Sequence, residues 1–289
     1  MISDEGTVVK LLGDALQKAV AERLAPKTGL AFSGGVDSSL ISAMARSDIS
    51  DMNLYSVGFE GSHDLRHAQY AAELLELDGN LHTKIITQKE IEEHILDVIR
   101  SVKSSDLMAI EIGLPLFITA REAHKDGMKV MLSGQGADEL FAGYQRYIRS
   151  VEFPKEIQLR HFFKMAHLHL ADEIEKDVKN LVEIGVKRDH AVASANSIEL
   201  RTPYLDRNVI EIGLQIAPEL KIRKKDRTYM RKYILRRVAE NIIPHELAWM
   251  EKKAMQYGTG VHRELGKLAI SRGFESTKCY LTSLAQEVI

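Results

Sequence analysis

A chain of 289 residues, 45% hydrophobic and 28% charged, has the composition of a folded protein with ample material for a sizeable core. Its formal charge of −2 argues against a surface that coats nucleic acid, and its single cysteine, Cys279, rules out an internal disulfide or a thiolate metal cluster. No apolar run approaches membrane-spanning length and the opening residues MISDEG lack a signal-peptide pattern, so the expected location is cytoplasmic.

In chain order, Val8, Leu11, Leu12, Ala15, Leu16, Ala19 and Val20 recur at helical spacing, and Pro26 and Gly29 end that helix. Leu30, Ala31 and Phe32 then read as a buried strand. Ser33-Gly34-Gly35 forms a turn, and Val36-Asp37-Ser38-Ser39 leads into the periodic positions Leu40, Ile41, Met44 and Ala45. Strand, glycine turn and helix start in that order make an anion site, because backbone N–H groups and the positive end of the helix dipole face the ligand. Ser33, Ser38 and Ser39 add hydroxyl donors, and Asp37 can cap the helix or hold a cation. Neither a Walker-type loop nor a GxGxxG fingerprint is present. Taken alone, the glycine pair reads as a plain strand–helix turn, since turns use such residues constantly.

A second strand covers Asn53 to Phe59, and a helix from about Asp64 buries Leu65, Ala68, Ala72 and Leu75. His82 to Thr87 reads as a third strand, and Ile91, Ile95, Val98, Ile99 and Val102 mark another amphipathic helix. Pro115 to Ala123 reads as helix and Lys129 to Leu132 as a fourth strand. Strands alternating with helices predict an α/β fold with a doubly wound parallel sheet, which binds ligands beyond the carboxyl ends of its strands. The next turn, Ser133 to Tyr147 (SGQGADELFAGYQRY), repeats the pattern of the first. Gly134 and Gly136 permit close approach to a ligand. Asp138 and Glu139 can cap the following helix, or Asp138 can share a magnesium ion with Asp37 when ATP phosphates supply the other oxygens.

SGGVDSS resembles the pyrophosphate-binding loop of the ATP pyrophosphatases, which split ATP into AMP and pyrophosphate to form an adenylate. Together with YSVGF, LSGQGADELFAGY and SIELRTPYLD it resembles the synthetase domain of asparagine synthetases, over residues 28 to about 262. That resemblance implies an adenine nucleotide alpha-hydrolase-like fold and an ATP- and Mg2+-dependent, AMP-forming ligase. Such an enzyme adenylates a carboxylate, with the aspartate side chain favoured, and transfers ammonia to it. It further implies that Ser33, Gly34, Gly35, Asp37 and Ser38 form the pyrophosphate loop, that Phe32 before them also binds ATP, and that Val57 and Gly58 lie near adenine and ribose. Ser133 and Gly134 would contact the nucleotide and Asp37 with Asp138 would hold magnesium. Gln135 and Glu139 are expected at the reacting centre. In WMEKKAMQYGTG, Lys252 matches a catalytic lysine, with Lys253 as the alternative; a fixed cation there would stabilise charge on the α-phosphorus and leaving pyrophosphate.

After Tyr147 the strand signal fades and the rest reads as helical, giving an ATP-binding part over 1–150 and a helical, substrate-covering part over 151–289, expected to form one body. His161, His167 and His169 read as surface or half-buried residues rather than a metal site, since positions two apart on a helix do not share a face. Glu199, Arg201 and Asp206 are either a salt-bridge set or pocket-lining residues, and the resemblance favours the pocket. Lys221 to Arg237 is densely basic, but Met230, Tyr233, Ile234 and Val238 suggest a solvated amphipathic helix with no nucleic-acid partner.

Two departures from the family stand out. No cysteine precedes Cys279, so the nucleophile of a glutaminase domain is missing. Nitrogen is then expected from free ammonia, a separate glutaminase subunit or an amine within the substrate; a homo-oligomer is left open. Gln135 also stands where a glutamate is expected, and an amide cannot take a proton as a carboxylate can. Two other readings stay open: a nucleotide- or tRNA-modifying enzyme, and a non-catalytic ATP-binding regulatory subunit.

Overall fold

Five short strands form one parallel sheet: β1 (Thr28–Ala31), β2 (Asn53–Gly58), β3 (Leu81–Ile85), β4 (Val130–Leu132) and β5 (Glu199–Arg201), in the spatial order β3-β2-β1-β4-β5. The computed structural model describes residues 1–49, 52–151, 160–225, 228–251 and 255–289. In the register, Leu30 lies between Leu54 and Leu132. Alternation along each strand sends neighbouring side chains to opposite faces. Leu30, Leu54 and Leu132 enter a core with Leu12 and Leu16 of α1 (Glu5–Ala21) and Leu40 of α2 (Val36–Arg46). Tyr55, Met131 and Leu200 enter a second core with Ile95 and Val98 of α4 (Gln88–Val102) and Ile110 and Phe117 of α5 (Leu107–Lys125). Helices on both faces make the sheet doubly wound, as the sequence predicts.

The chain runs from β1 to β2 and β3 on one side, then returns across β1 to β4 on the other. The reversal therefore lies between β1 and β4, where a crevice opens beyond the strand ends. Both glycine turns leave from those two strands.

Later helices complete the same two cores instead of building their own. Leu170, Val209, Leu235 and Ala248 join the Leu30 core, and Val192, Val261 and Leu265 join the Tyr55 core. Among the described residues, no helix is long and apolar enough to cross a membrane.

Three local expectations change. Helix α5 begins at Leu107, not Pro115; Asp106 caps it by accepting from the Ala109 N–H at 2.9 Å, and Pro115 sits buried inside it. β5 is a strand within the half read as helical; three residues at a sheet edge, two of them charged, carry too short a pattern to detect. In the basic stretch, β6 (Arg223–Lys225) pairs antiparallel with β7 (Thr228–Met230), and helix covers only Tyr233–Ala239. Lys232 before it adopts φ 54°, which breaks any longer helix.

Candidate nucleotide and acyl-transfer site

The helix after β1 differs from its neighbours at its start. Ser62 caps α3 (His63–Leu74) and Thr87 caps α4 in a reciprocal box with Glu90, whereas α2 follows Gly35 with no side-chain cap. Its first N–H groups are left for a ligand. Ser38 shapes the loop: its hydroxyl donates to the Gly35 carbonyl at 3.2 Å and accepts from the Ser33 N–H at 3.3 Å. Gly34 adopts φ +70°, and a Cβ there would lie 2.3 Å from the His67 carbonyl oxygen. It is glycine so that α3 can pack against the turn, and it does not line the cleft. Gly58 is likewise held behind the wall, where a Cβ would meet Ser62 Oγ at 2.4 Å.

The two turns touch. A Cβ on Gly134 would lie 3.2 Å from that of Asp37, and the Tyr204 hydroxyl donates to the Asp37 carbonyl at 3.1 Å. They flank a cleft of about 680 Å³. Phe32, Ser33, Gly35, Asp37, Ser38, Val57, Ser133, Gly134, Gln135, Asp138 and Glu139 all line it. Eleven positions singled out from the sequence thus share one cavity. Lys252 lies outside the described residues, as does Lys253; Met250 and Tyr257, on either side of them, both line the cleft.

Glu199, Arg201 and Asp206 are not brought there. Arg201 Nε donates to Glu199 Oε1 at 2.8 Å and its Nη1 to the Arg23 carbonyl at 2.9 Å, while Asp206 pairs with Arg23 at 3.1 Å and caps the Arg207–Gln215 helix. They form a salt-bridge set that ties the β5 edge to the end of α1. The physical reason is that Glu199 and the carbonyls of Arg23 and Leu24 already engage the Arg201 guanidinium. His169 is exposed, and among the described residues no cluster of three metal-ligating side chains occurs.

The residues sequence reasoning missed are mainly cations. Lys232, 7% exposed, donates from Nζ to Asp37 Oδ2 at 2.6 Å and to Asp138 Oδ1 at 2.8 Å. Burial pulls its pKa down, but Asp138 and Asp37 outweigh that and hold it above the ordinary lysine value. Arg231 Nη1 donates to the Gly143 carbonyl at 2.7 Å, and the buried Arg236 donates to the Arg231, Ala248 and Met250 carbonyls. All three basic residues line the cleft. The solvated basic face expected over 221–237 is therefore, in part, a cleft wall. The available signal was the pair of acids on two turns, whose like charges call for a counter-charge when the turns meet.

Glu139 is buried and accepts from the Tyr144 hydroxyl at 2.6 Å. Burial raises its pKa, against the opposing hydrogen bond from Tyr144. A π-helical turn, Leu181–Gly185, and the Val186–Ser194 helix that continues it bring Leu181, Gly185 and Arg188 to the cleft. A Cβ on Gly185 would lie 3.6 Å from Gln135 Nε2, so the amide stands close to bare backbone. Arg188 is fixed through Nε by the buried Asp189 at 2.7 Å.

The donor set suits a hard divalent cation. Two carboxylate oxygens from separate turns lie within 2.8 Å of one point, and Asp37 Oδ1 is buried with no hydrogen-bond partner among the described residues. Magnesium accepts one or two protein carboxylates when phosphates complete its shell.

A family model described as asparagine synthase matches residues 11–273. Among curated relatives, a protein of Methanocaldococcus jannaschii named putative glutamine-hydrolyzing asparagine synthetase 1 is 36% identical over 96% of this chain and 55% of its own length. Glutamine-hydrolyzing asparagine synthetase B of Escherichia coli is 29% identical over 90% of this chain and 46% of its own. Glutamine-hydrolyzing asparagine synthetase 2 of Oryza sativa is 29% identical over 86% of this chain and 42% of its own. The chain spans about half the length of the curated relatives it matches.

Proposed function

The chain belongs to the asparagine synthase family, and from that premise we propose that it is an ATP-dependent, AMP-forming carbon–nitrogen ligase. It adenylates a carboxylate, with the aspartate side chain favoured, and transfers ammonia to the acyl-adenylate. The observation that carries this reading is the meeting of Asp37 and Asp138 in one cleft beside the uncapped start of α2. An anion seat and a cation seat side by side suit a nucleotide polyphosphate.

In this reading the α2 N-terminus and the Ser33–Ser38 loop bind pyrophosphate, while Phe32 and Val57 contact the base and ribose. Asp37 and Asp138 hold magnesium, which when bound neutralises phosphate charge and so favours departure of pyrophosphate. Arg231 and Arg236 supply fixed positive charge around the phosphates, Lys232 adds a third cation beside the two acids, and Lys252 is proposed to stabilise charge at the α-phosphorus. The substrate carboxylate oxygen attacks that phosphorus, and pyrophosphate leaves. Ammonia then attacks the acyl carbon and AMP leaves with the carboxylate oxygen. Gln135 orients the incoming nitrogen by hydrogen bonding; it cannot accept the proton that nitrogen sheds, which passes to solvent as the amide forms. The relatives are named glutamine-hydrolyzing; for this chain we propose free ammonia or a glutaminase partner as the nitrogen source.

The test is AMP and pyrophosphate release from Mg–ATP with aspartate alone, with aspartate and ammonium, and with a panel of other carboxylates. AMP and asparagine in equal amounts, requiring both aspartate and ammonium, are expected. AMP formed with another carboxylate replaces the substrate, and nucleotide binding without turnover on any carboxylate refutes the ligase reading.

A further inference from the structure

The seat fitted for a divalent cation holds a cation that belongs to the chain. Lys232 Nζ bridges Asp37 Oδ2 at 2.6 Å and Asp138 Oδ1 at 2.8 Å, and Lys232 itself is nearly buried. An ammonium and a metal ion cannot share that point. Two positive charges within about 4 Å repel strongly at a partly buried site, and each needs the same carboxylate oxygens. The lysine is also fixed from behind. A Cβ on Gly143 would lie 2.3 Å from Lys232 Cε, so the stem runs directly over bare backbone. The left-handed Lys232 backbone starts the Tyr233–Ala239 helix, whose Ile234 and Leu235 are wholly buried.

We propose that Lys232 is a resident stand-in for the metal, so that a divalent cation enters this seat only together with a nucleotide whose phosphates accept the displaced ammonium. The nucleotide-free protein then keeps its two acids neutralised and rejects free magnesium. A polyphosphate supplies new acceptors for Nζ and new oxygens for the metal at one stroke. Lys232 is in this sense a positioning residue: its charge passes from the carboxylates to the phosphates as the site fills.

The inference rests on the reading of the cleft as a Mg–ATP site, and its test is binding, which needs no turnover. Mn2+ binding is measured by electron paramagnetic resonance on the whole chain, with and without a non-hydrolysable ATP analogue, and analogue binding is measured separately. For the native chain, nucleotide-free Mn2+ affinity should be at least roughly tenfold weaker than for Lys232→Met, because the variant lacks the competing charge. Adding Asp138→Asn to that variant should abolish the gain. Mn2+ alone should also raise the melting temperature of Lys232→Met and of Lys232→Gln but leave the native chain unmoved. Equal Mn2+ affinity in native and variant chains overturns the proposal, as does failure of both variants to fold at any Mn2+ concentration. If the analogue does not bind the native chain, the nucleotide reading fails. If it binds while the variants gain no Mn2+ affinity, only this inference fails.

Discussion

Gly143 is where one added methyl group should do the most damage to the site. A Cβ there would lie 1.8 Å from Asp138 Oδ1 and 2.3 Å from Lys232 Cε, against an ordinary contact of 3.4 Å or more. Its backbone lies outside the left-handed region, so alanine is acceptable to the chain itself and the clash is the whole effect. Gly143 is also pinned: its N–H donates to the Asp138 carbonyl at 2.7 Å and its carbonyl accepts from Arg231. Relief must come from Asp138 and Lys232 moving apart. Overpacking of this kind costs about 1–3 kcal/mol. Loss of the Asp138–Lys232 contact, discounted because the Asp138 side chain is 42% exposed, adds about 1 kcal/mol. With unfolding entropy near 2.1 cal/mol/K per residue, Gly143→Ala should lower the melting temperature by roughly 3–7 °C. Binding of a non-hydrolysable ATP analogue should weaken by about tenfold, since both acids and their counter-cation shift. The control is Gly79→Ala, where no atom lies within 4 Å of the added Cβ. Thermal unfolding and calorimetric titration on the two variants decide it. If Gly143→Ala behaves like Gly79→Ala in both, the close packing of Asp138 and Lys232 over that backbone is wrong.

Ser38→Ala removes the hydroxyl that links Gly35 and Ser33 and should weaken analogue binding roughly fivefold, about 1 kcal/mol, with little change in melting temperature; unchanged affinity would show that the loop holds its shape without it. Gln135→Glu should introduce a pH dependence into amide formation while sparing adenylation followed by pyrophosphate exchange, because only a carboxylate at the cleft can take a proton. Identical pH profiles for both half-reactions would remove Gln135 from the reacting centre. Burial pushes the pKa of Lys221, 2% exposed, from its ordinary 10.5 down to about 7. Between about pH 7 and 10.5 the unfolded chain holds a proton that the folded chain does not, so stability should rise with pH across that window, by up to about 1.4 kcal/mol per unit. Denaturant unfolding of Lys221→Met should show higher stability at pH 7 and a flatter profile; an unchanged slope would mean that Lys221 keeps its charge.

Four of the five strands of the sheet, and the two glycine turns that flank the cleft, were legible in the sequence by itself. β1, β2 and β4 are legible because strands covered on both faces are short, apolar and followed by turn residues, and because α2 to α4 carry clean helical periods. The two glycine turns were legible as a pair because each combines a strand end with residues that let backbone approach a ligand. Much less could be read where function depends on partners distant in sequence. Nothing local to Lys232 separates it from the other basic residues of 221–237; it becomes a site residue only because Asp37 and Asp138, 195 and 94 positions earlier, converge on it. Glu199, Arg201 and Asp206 offered the opposite case, charged residues in a suggestive run that the β5 edge turns toward Arg23. Periodicity and turn chemistry are written in neighbours along the chain. Counter-charge and burial are set by which strands lie side by side, and only the tertiary structure decides that.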